Sequence, residues 1–180
     1  MPLPGGSSDK YGNRFEGKWT VYCIAQVMAE EADSIRLEPV GADGDGAEFI
    51  LRIGPVVEYH QVKRQHARLG DWTIAELAGK GVLHHAFIKT RDPSGRYIFI
   101  STTHCAILEK IVDDAKRAES LSEFKEYFLK GEKVKAWANL LRQWHDLIQE
   151  EMATTPTALP EDIQSAHEHI AYEHVKRIEI

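Results

Sequence analysis

Residues 47–68 read AEFILRIGPVVEYHQVKRQHAR, and this stretch contains the strongest structural signal in the chain. Two apolar, β-branched runs, EFIL and VVEYHQV, lie on either side of the turn signal Gly54-Pro55. Strand-like runs that flank such a turn predict a β-hairpin. The hairpin sets Glu48, on the first strand, opposite the triplet QVK at positions 61–63 of the second strand.

The second strand carries two polar side chains within an apolar pattern. Because alternate residues of a strand share a face, Gln61 and Lys63 project to the same side as Tyr59, and Val62 projects to the other side. One interpretation is that this face is open to solvent, as one face of an antiparallel sheet often is. The other is that the amide and the ammonium group belong to a functional site. The alternation leaves both interpretations open.

Length and composition limit the classes of protein that need to be considered. The chain has 180 residues, of which 43% are hydrophobic, enough for one domain with a substantial core or for one domain plus a helical extension. The net charge of −6 argues against a simple basic nucleic-acid-binding module. It does not exclude a metal-dependent nuclease, because a bound cation offsets the carboxylates of such a site.

The sequence shows no membrane-spanning run and no signal peptide. No run approaches the roughly 20 apolar residues that a membrane span needs. The first ten residues lack a basic region followed by an apolar one, so we expect a flexible leader and no signal peptide. Cys23 and Cys105 lie in apolar contexts and are expected to be buried free thiols, which is typical of a reducing cytosol.

A helix is predicted over residues 14–31, before the hairpin. Apolar residues recur there at three- and four-residue spacing and predict a single buried stripe, formed by Phe15, Trp19, Tyr22, Cys23, Val27 and Met28. Glu16 lies in the predicted first turn, off that stripe. Either its carboxylate interacts with the helix dipole, or it is an acid that points toward a functional site.

The other segments predict alternating strands and helices. A short strand over residues 34–40 ends at Pro39, with Glu38 close to the hairpin, and residues 41–46 (GADGDG) form a turn without the ligand spacing of a calcium loop. After the hairpin come a helix starting at residues 71–73, a helix or strand within residues 78–89, and a buried strand over residues 96–102. A helix over residues 103–117 follows, with Thr102 or Thr103 as its N-cap.

The C-terminal third is predicted to be helical. Helices are expected within residues 120–131 and 135–152, and a last helix is expected to begin at Pro160 and to run to the end of the chain. The fold class is therefore α/β: a central mixed sheet of four or five strands, flanked by helices 14–31 and 103–117. Residues 11–130 form the α/β domain, and residues 131–180 form a helical extension that we expect to lead to a further domain.

Nine histidines suggest a metal site, but their spacing does not support one. The chain has no HExxH motif and no cysteine pair at zinc spacing. His84 and His85 are adjacent and face different ways, and His167 and His174 lie about 10 Å apart along a helix. A histidine-zinc site is therefore not expected.

A carboxylate on one strand followed by a (D/E/Q)xK triplet on the next resembles the core of the PD-(D/E)xK restriction-endonuclease-like nucleases. The segment EFIL…EYHQVKRQ is similar in sequence to the Gln-variant nuclease domains of bacterial anti-phage effectors. These domains are fused to STAND (NACHT-type) NTPases or to cyclic-oligonucleotide sensors. GNRFE at 12–16, KGVL at 80–83 and FIS at 99–101 are similar to the same domains. The resemblance covers about residues 11–130.

The resemblance implies a Mg²⁺- or Mn²⁺-dependent site for phosphodiester hydrolysis. Glu48, the Gln61 amide oxygen and the Val62 carbonyl would be metal ligands, Lys63 would act on the attacking water and the transition state, and Glu16 would be an accessory acid. The chain departs from the common pattern at two positions. Glu48 replaces the usual Asp, unless Asp45 is the ligand, and Gln61 replaces an acid, which lowers the charge of the site.

DNA is the substrate that the resemblance implies. Backbone contact without base reading is expected from basic residues near the triplet and on the first helix: Arg64, Arg68, Arg14 and Lys18. The implied protein is a cytoplasmic antiviral effector without a membrane segment, which oligomerises when it is activated and works with a fused or associated NTPase or sensor domain. The alternatives are a catalytically inactive nuclease fold that serves DNA binding or oligomerisation, and an unrelated α/β interaction domain.

Overall fold

The computed structural model describes residues 8–64, 70–154 and 162–180 of the chain. Its elements, in chain order, are α1 Ser8–Met28, β1 Ser34–Leu37, a 3₁₀ turn Gly41–Asp43, β2 Phe49–Ile53, β3 Val56–Lys63, α2 Ile74–Gly79, α3 Val82–Lys89, β4 Gly95–Ser101, α4 Ala106–Arg117, α5 Leu121–Glu123 with a π-helical continuation Phe124–Phe128, α6 Glu132–Thr154, α7 Ile163–Val175 and β5 Ile178–Glu179.

The described strands form one mixed sheet in the order β1-β2-β3-β4-β5. β1, β2 and β3 pair antiparallel, whereas β4 pairs parallel with β3 and β5 pairs parallel with β4. The predicted α/β class with a mixed sheet is therefore confirmed. The predicted hairpin is β2–β3: Ile53 pairs with Val56 across the two-residue loop Gly54-Pro55, and Gly54 adopts a φ of 56° that glycine tolerates without strain.

α1 covers one face of the sheet and closes the smaller of two apolar clusters. Cys23 packs there with Phe49, Leu51 and Val62, and Trp19 lies against them. Two members of the predicted apolar stripe do not belong to this cluster, since Tyr22 and Met28 are exposed. The prediction of one buried stripe was wrong for them, because their positions turn to the outer side of the helix.

The opposite face of the sheet carries the main core. The core includes large, fully buried side chains from the sheet and from several helices, among them Tyr97, Leu83, Phe87, Leu140 and Trp144. Both cysteines are buried and free, as predicted. Burial raises the pKa of Cys23 to about 11 and that of Cys105 to about 12, so neither thiol is reactive at neutral pH.

The C-terminal segment differs from its prediction. The last helix ends at Val175, and the chain then forms β5 beside β4 instead of remaining helical to residue 180. The Tyr97 N–H donates to the Arg177 carbonyl at 3.0 Å, and Ile178 is buried in the main core. Residues of the segment 131–180 therefore share a core with the segment 11–130 and extend its sheet.

A buried polar network fixes α7 against α3 and α6. His174 Nδ1 lies 2.7 Å from Thr90 Oγ1, and His174 Nε2 lies 3.0 Å from Glu151 Oε2. The imidazole stacks on Phe87, with ring centroids 3.9 Å apart. Both ring nitrogens of His174 therefore have hydrogen-bond partners, which accounts for the burial of this polar side chain.

The starts of α1 and α4 also differ from the prediction. α1 begins at Ser8, so Glu16 lies about two turns inside the helix. α4 begins at Ala106 after Cys105, without a side-chain cap from Thr102 or Thr103. α2 begins at Ile74, next to the predicted residues 71–73, with Thr73 as its N-cap and Glu76 completing a capping box.

Candidate functional site

Glu48 directly precedes β2 and lies opposite Gln61, near the end of β3. Its backbone N–H donates to the His60 carbonyl at 2.8 Å, which fixes the backbone next to the triplet. Its carboxylate accepts a hydrogen bond from the Val62 N–H at 2.8 Å and one from the Lys63 ammonium at 3.1 Å. Glu48 and Lys63, predicted from sequence to face each other, are in direct contact.

Glu16 lies within electrostatic reach of this pair, although it comes from α1. Burial and the charge of Glu48 raise the pKa of Glu16, and the charge of Lys63 opposes that rise. Because Glu16 lies well inside α1, the helix dipole does not explain the carboxylate, since that effect is confined to the first turn. Glu16, Glu48 and Lys63 therefore share one electrostatic environment.

Glu38 approaches the same site in a strained conformation. Its φ is 43°, which is unusual for a residue other than glycine and is further disfavoured immediately before a proline such as Pro39. Its N–H donates to the Glu48 carbonyl at 3.0 Å, and its charge also raises the pKa of Glu16. Backbone strain of this kind is concentrated at functional sites.

Gln61 lies beside this group but inside the core. Its side chain is only 3% exposed, and its Oε1 accepts a hydrogen bond from the Tyr97 hydroxyl. Burial raises the pKa of Tyr97 well above its usual value, and the charge of Glu48 adds to the effect. The interpretation of a solvent-facing strand is therefore wrong for Gln61, because the Tyr97 side chain and the main core cover that face.

Val62 contacts the site through its backbone only. Its side chain lies in the smaller cluster, on the opposite face from Gln61, as the strand alternation predicts. The N–H of Val62, and not its carbonyl, contacts Glu48. In the parallel ladder between β3 and β4, Val62 pairs with Ile100.

The other predicted residues surround the site at different distances. Asp45 is exposed, and its charge acts on His85, so the contact with Lys63 belongs to Glu48. Arg64 is exposed and directly follows Lys63, whereas Arg14 and Lys18 are exposed on α1. Arg68 lies outside the described residues.

Two residues near the site were not predicted from sequence. Tyr97, which orients Gln61, lies in an apolar strand run that gives no hint of a polar role. His85 packs against Gly46, where an added Cβ would lie 2.1 Å from the histidine Cγ. Burial lowers the pKa of His85, and the neighbouring His84 lowers it further. The repeated glycines of residues 41–46 were the available signal for this close contact.

His60 lies near the site, but the core accounts for it. The Trp19 indole N–H donates to His60 Nδ1 at 3.1 Å, so Nε2 carries the proton and faces Glu58 Oε2 at 3.0 Å. The ring stacks on Phe49, with centroids 4.6 Å apart. Both nitrogens are occupied by structural partners, so His60 is not a candidate ligand.

Within residues 8–64, 70–154 and 162–180, no three His, Cys, Asp or Glu side chains are grouped closely enough to hold a metal ion on their own. The site can therefore present two or three carboxyl groups, one amide oxygen and one ammonium group at the end of a hairpin. Such a set can bind a cation only together with ligands from water or substrate.

Comparison of the chain with models of protein families, with curated proteins and with solved structures found no match. In the part of the chain that the structure describes, no helix has the length and apolar character needed to cross a membrane.

Proposed function

We propose that the chain is a metal-dependent DNA endonuclease domain of a bacterial antiviral defence protein, with a restriction-endonuclease-like fold and little sequence specificity. The observation that carries the proposal is the contact of the Glu48 carboxylate with the Lys63 ammonium at 3.1 Å, across neighbouring strands. A carboxylate and a lysine at this juxtaposition supply the two charges that phosphodiester hydrolysis requires, one to hold a cation and one to stabilise an anion.

The residues present fit a divalent cation. Burial and the Glu48 charge raise the pKa of Glu16, and a cation held by Glu16 and Glu48 would offset the repulsion of their charges. Mg²⁺ keeps several waters and is bound by one or two carboxylates plus substrate phosphates, so a larger protein ligand set is not required. Gln61 Oε1 retains a second lone pair beside its bond to Tyr97 and would complete the set. When bound, the cation would polarise the phosphoryl oxygen and lower the pKa of a bound water.

Lys63 is the residue that we assign to the transition state. Its ammonium is a compact charge on a side chain that is still partly exposed, so it can reach a phosphate at the strand end. In the proposed reaction it orients the attacking water and stabilises the charge that develops on the phosphoryl oxygens. Glu48 holds Lys63 at the end of β3, and the Val62 N–H orients Glu48.

DNA is proposed to approach the end of β3 through its phosphate backbone. Arg64 is exposed next to Lys63, and Arg14 and Lys18 are exposed on α1. Arg68 is part of the same proposal from the sequence. Phosphate contacts of this kind position a duplex without reading its bases, so cleavage is expected to be insensitive to sequence.

The alternative of a catalytically inactive fold is favoured by one observation. Gln61 stands where most nucleases of the resembling type have an acid, and its oxygen is engaged by Tyr97 in a buried position. A site with less negative charge binds a cation more weakly. This alternative predicts that the chain binds DNA without cutting it.

Plasmid cleavage tests the proposal. Supercoiled DNA is incubated with the chain in Mg²⁺ or Mn²⁺ and with a chelator, both for the chain alone and for the chain fused to a tetramerising coiled coil, since effector domains of this type are expected to need clustering. Metal-dependent nicking that is lost in Glu48→Gln supports the proposal. Glu58→Gln is the matched control, because Glu58 lies on the same hairpin but contacts His60. DNA binding without cleavage by the clustered chain would support the inactive fold instead.

A further inference from the structure

α1 is apolar on both sides, which is unusual for a helix that covers a sheet at the surface of a domain. Its inner side carries Cys23 in the smaller cluster. On its outer side, Val21, Tyr22 and Met28 are 65%, 53% and 81% exposed. Ala25 and Ala29 are exposed as well, and all five positions share one face at three- and four-residue spacing. We call this face the outer α1 stripe.

The edge strand β1 carries a further exposed apolar side chain. Leu37 of β1 pairs with Phe49, so its side chain lies on the α1 side of the sheet, yet it is exposed. Large exposed apolar side chains grouped on one helix face, as on the outer α1 stripe, indicate an interaction site.

The two ends of the outer α1 stripe carry opposite charges. Arg14 and Lys18 are exposed before the apolar part, and Glu30 and Glu31 are exposed just after it. Within the described part of the chain, none of these four side chains makes an ion pair. The stripe is therefore basic at one end, apolar with a small residue in the middle, and acidic at the other end.

We propose that the outer α1 stripe is a dimer interface in which α1 packs antiparallel against α1 of a second copy of this chain, around a two-fold axis near Ala25. Lys18 lies about 10 Å before Ala25 along the helix, and Glu31 follows the helix end at Met28, after a turn in which Glu30 has a φ of 59°. Antiparallel packing therefore sets Lys18 of each copy toward the acidic end of the other, at Glu30 and Glu31. Parallel packing would oppose like charges at both ends, so charge complementarity selects the antiparallel pair.

The symmetry of the stripe fits a second copy. A two-fold interface is self-complementary, and a stripe whose ends carry opposite charges around a small central residue meets that condition. Alanine at the centre lets two helices approach closely, while Val21 and Met28 flank the axis on both copies. The inference does not rest on the proposed nuclease activity. A dimer of this kind would cover Lys18, so in the dimer the proposed DNA contacts would fall to the other basic residues, Arg64 among them.

Sedimentation velocity of the full chain over a micromolar to near-millimolar series, with and without added salt, tests the inference. We expect reversible dimerisation that weakens with salt and is abolished by Ala25→Glu, which brings two carboxylates together at the axis. Val134→Glu, at an exposed apolar position of α6, is the matched control and should leave association unchanged. Thermal melting followed by circular dichroism checks that each variant is folded.

A charge exchange tests the orientation. Lys18→Glu alone and Glu31→Lys alone should each raise the dimer dissociation constant at least about tenfold, which corresponds to about 1.4 kcal/mol. The double variant restores the Lys–Glu pairing in the antiparallel dimer and should return the constant to near the wild-type value. A chain that stays monomeric throughout the series, or a dimer that Ala25→Glu leaves intact, would overturn the interface. Failure of the double variant to recover would overturn the antiparallel register.

Discussion

Replacement of Lys63 by alanine separates a role in catalysis from a role in stability. Among the described residues the ammonium makes one ion pair, with Glu48 at 3.1 Å, and the two side chains are 36% and 22% exposed. Partly exposed pairs of this kind stabilise a protein by about 0.2–1 kcal/mol. For a chain of this length, such a loss lowers the melting temperature by no more than about 4 °C. Loss of a donor that acts on the transition state costs roughly 10²–10³ in turnover.

The assay therefore measures two quantities on the same variant. Plasmid cleavage in Mg²⁺ or Mn²⁺ should fall by roughly 10²–10³ in Lys63→Ala, while DNA binding falls only slightly, because an interaction confined to the transition state raises turnover without raising affinity. Lys63→Arg should rescue cleavage poorly, since a planar guanidinium does not replace a compact ammonium. Lys110→Ala is the matched control, because Lys110 makes an ion pair of the same length with Glu132 away from the site.

Two results would refute this reasoning. If Lys63→Ala melts far below Lys110→Ala, the lysine is a structural residue of β3. If the variant folds and cuts at the wild-type rate, Lys63 has no catalytic role and the active site lies elsewhere.

Three further predictions concern the surface, a close contact and the response to acid. Charge reversal at Arg64 and Arg68 should weaken DNA binding and flatten its salt dependence in a fluorescence titration; binding unchanged in both respects would point to another face. Gly46→Ala should cost about 2–4 kcal/mol in urea unfolding, because φ is +71° and the new Cβ would lie 2.1 Å from His85, whereas Gly54→Ala, with a positive φ but open space, should cost about 1–2 kcal/mol. Equal losses at the two glycines would contradict the His85 contact. Burial opposes ionisation of Glu151, but the hydrogen bond from His174 and the charges of His174, Arg91 and Arg177 lower its pKa below 4.5. The stabilisation of the folded chain by ionised Glu151 is therefore present above about pH 4.5 and is lost as the pH falls through the lowered pKa. The difference in melting temperature between wild type and Glu151→Gln should accordingly shrink in acid.

The candidate site was predictable in part because its main residues lie on one hairpin. The turn Gly54-Pro55 sets the register of β2 and β3, and that register brings Glu48 opposite Gln61, with Lys63 at the next position on the same face. Glu16 and Glu38 were weaker predictions, since their approach depends on how α1 and β1 pack against the hairpin. Tyr97 and His85 were not predictable, because each contributes through a contact that is distant in sequence.

The sequence by itself indicated the class of most elements between residues 14 and 154, although it left residues 78–89 open between helix and strand, and it indicated which side chains share a face on β3. These properties follow from turn residues and from apolar periodicity, which act over a few positions. Apolar periodicity shows that a helix or strand has an apolar face, but it does not show which other element packs against that face. Only the tertiary structure decided that Gln61 is buried against Tyr97 and that Tyr22 and Met28 remain exposed. It also decided that Ile178 and Glu179 form a strand, because a two-residue strand gains its stability from the hydrogen bonds and burial that β4 provides and not from its own propensity.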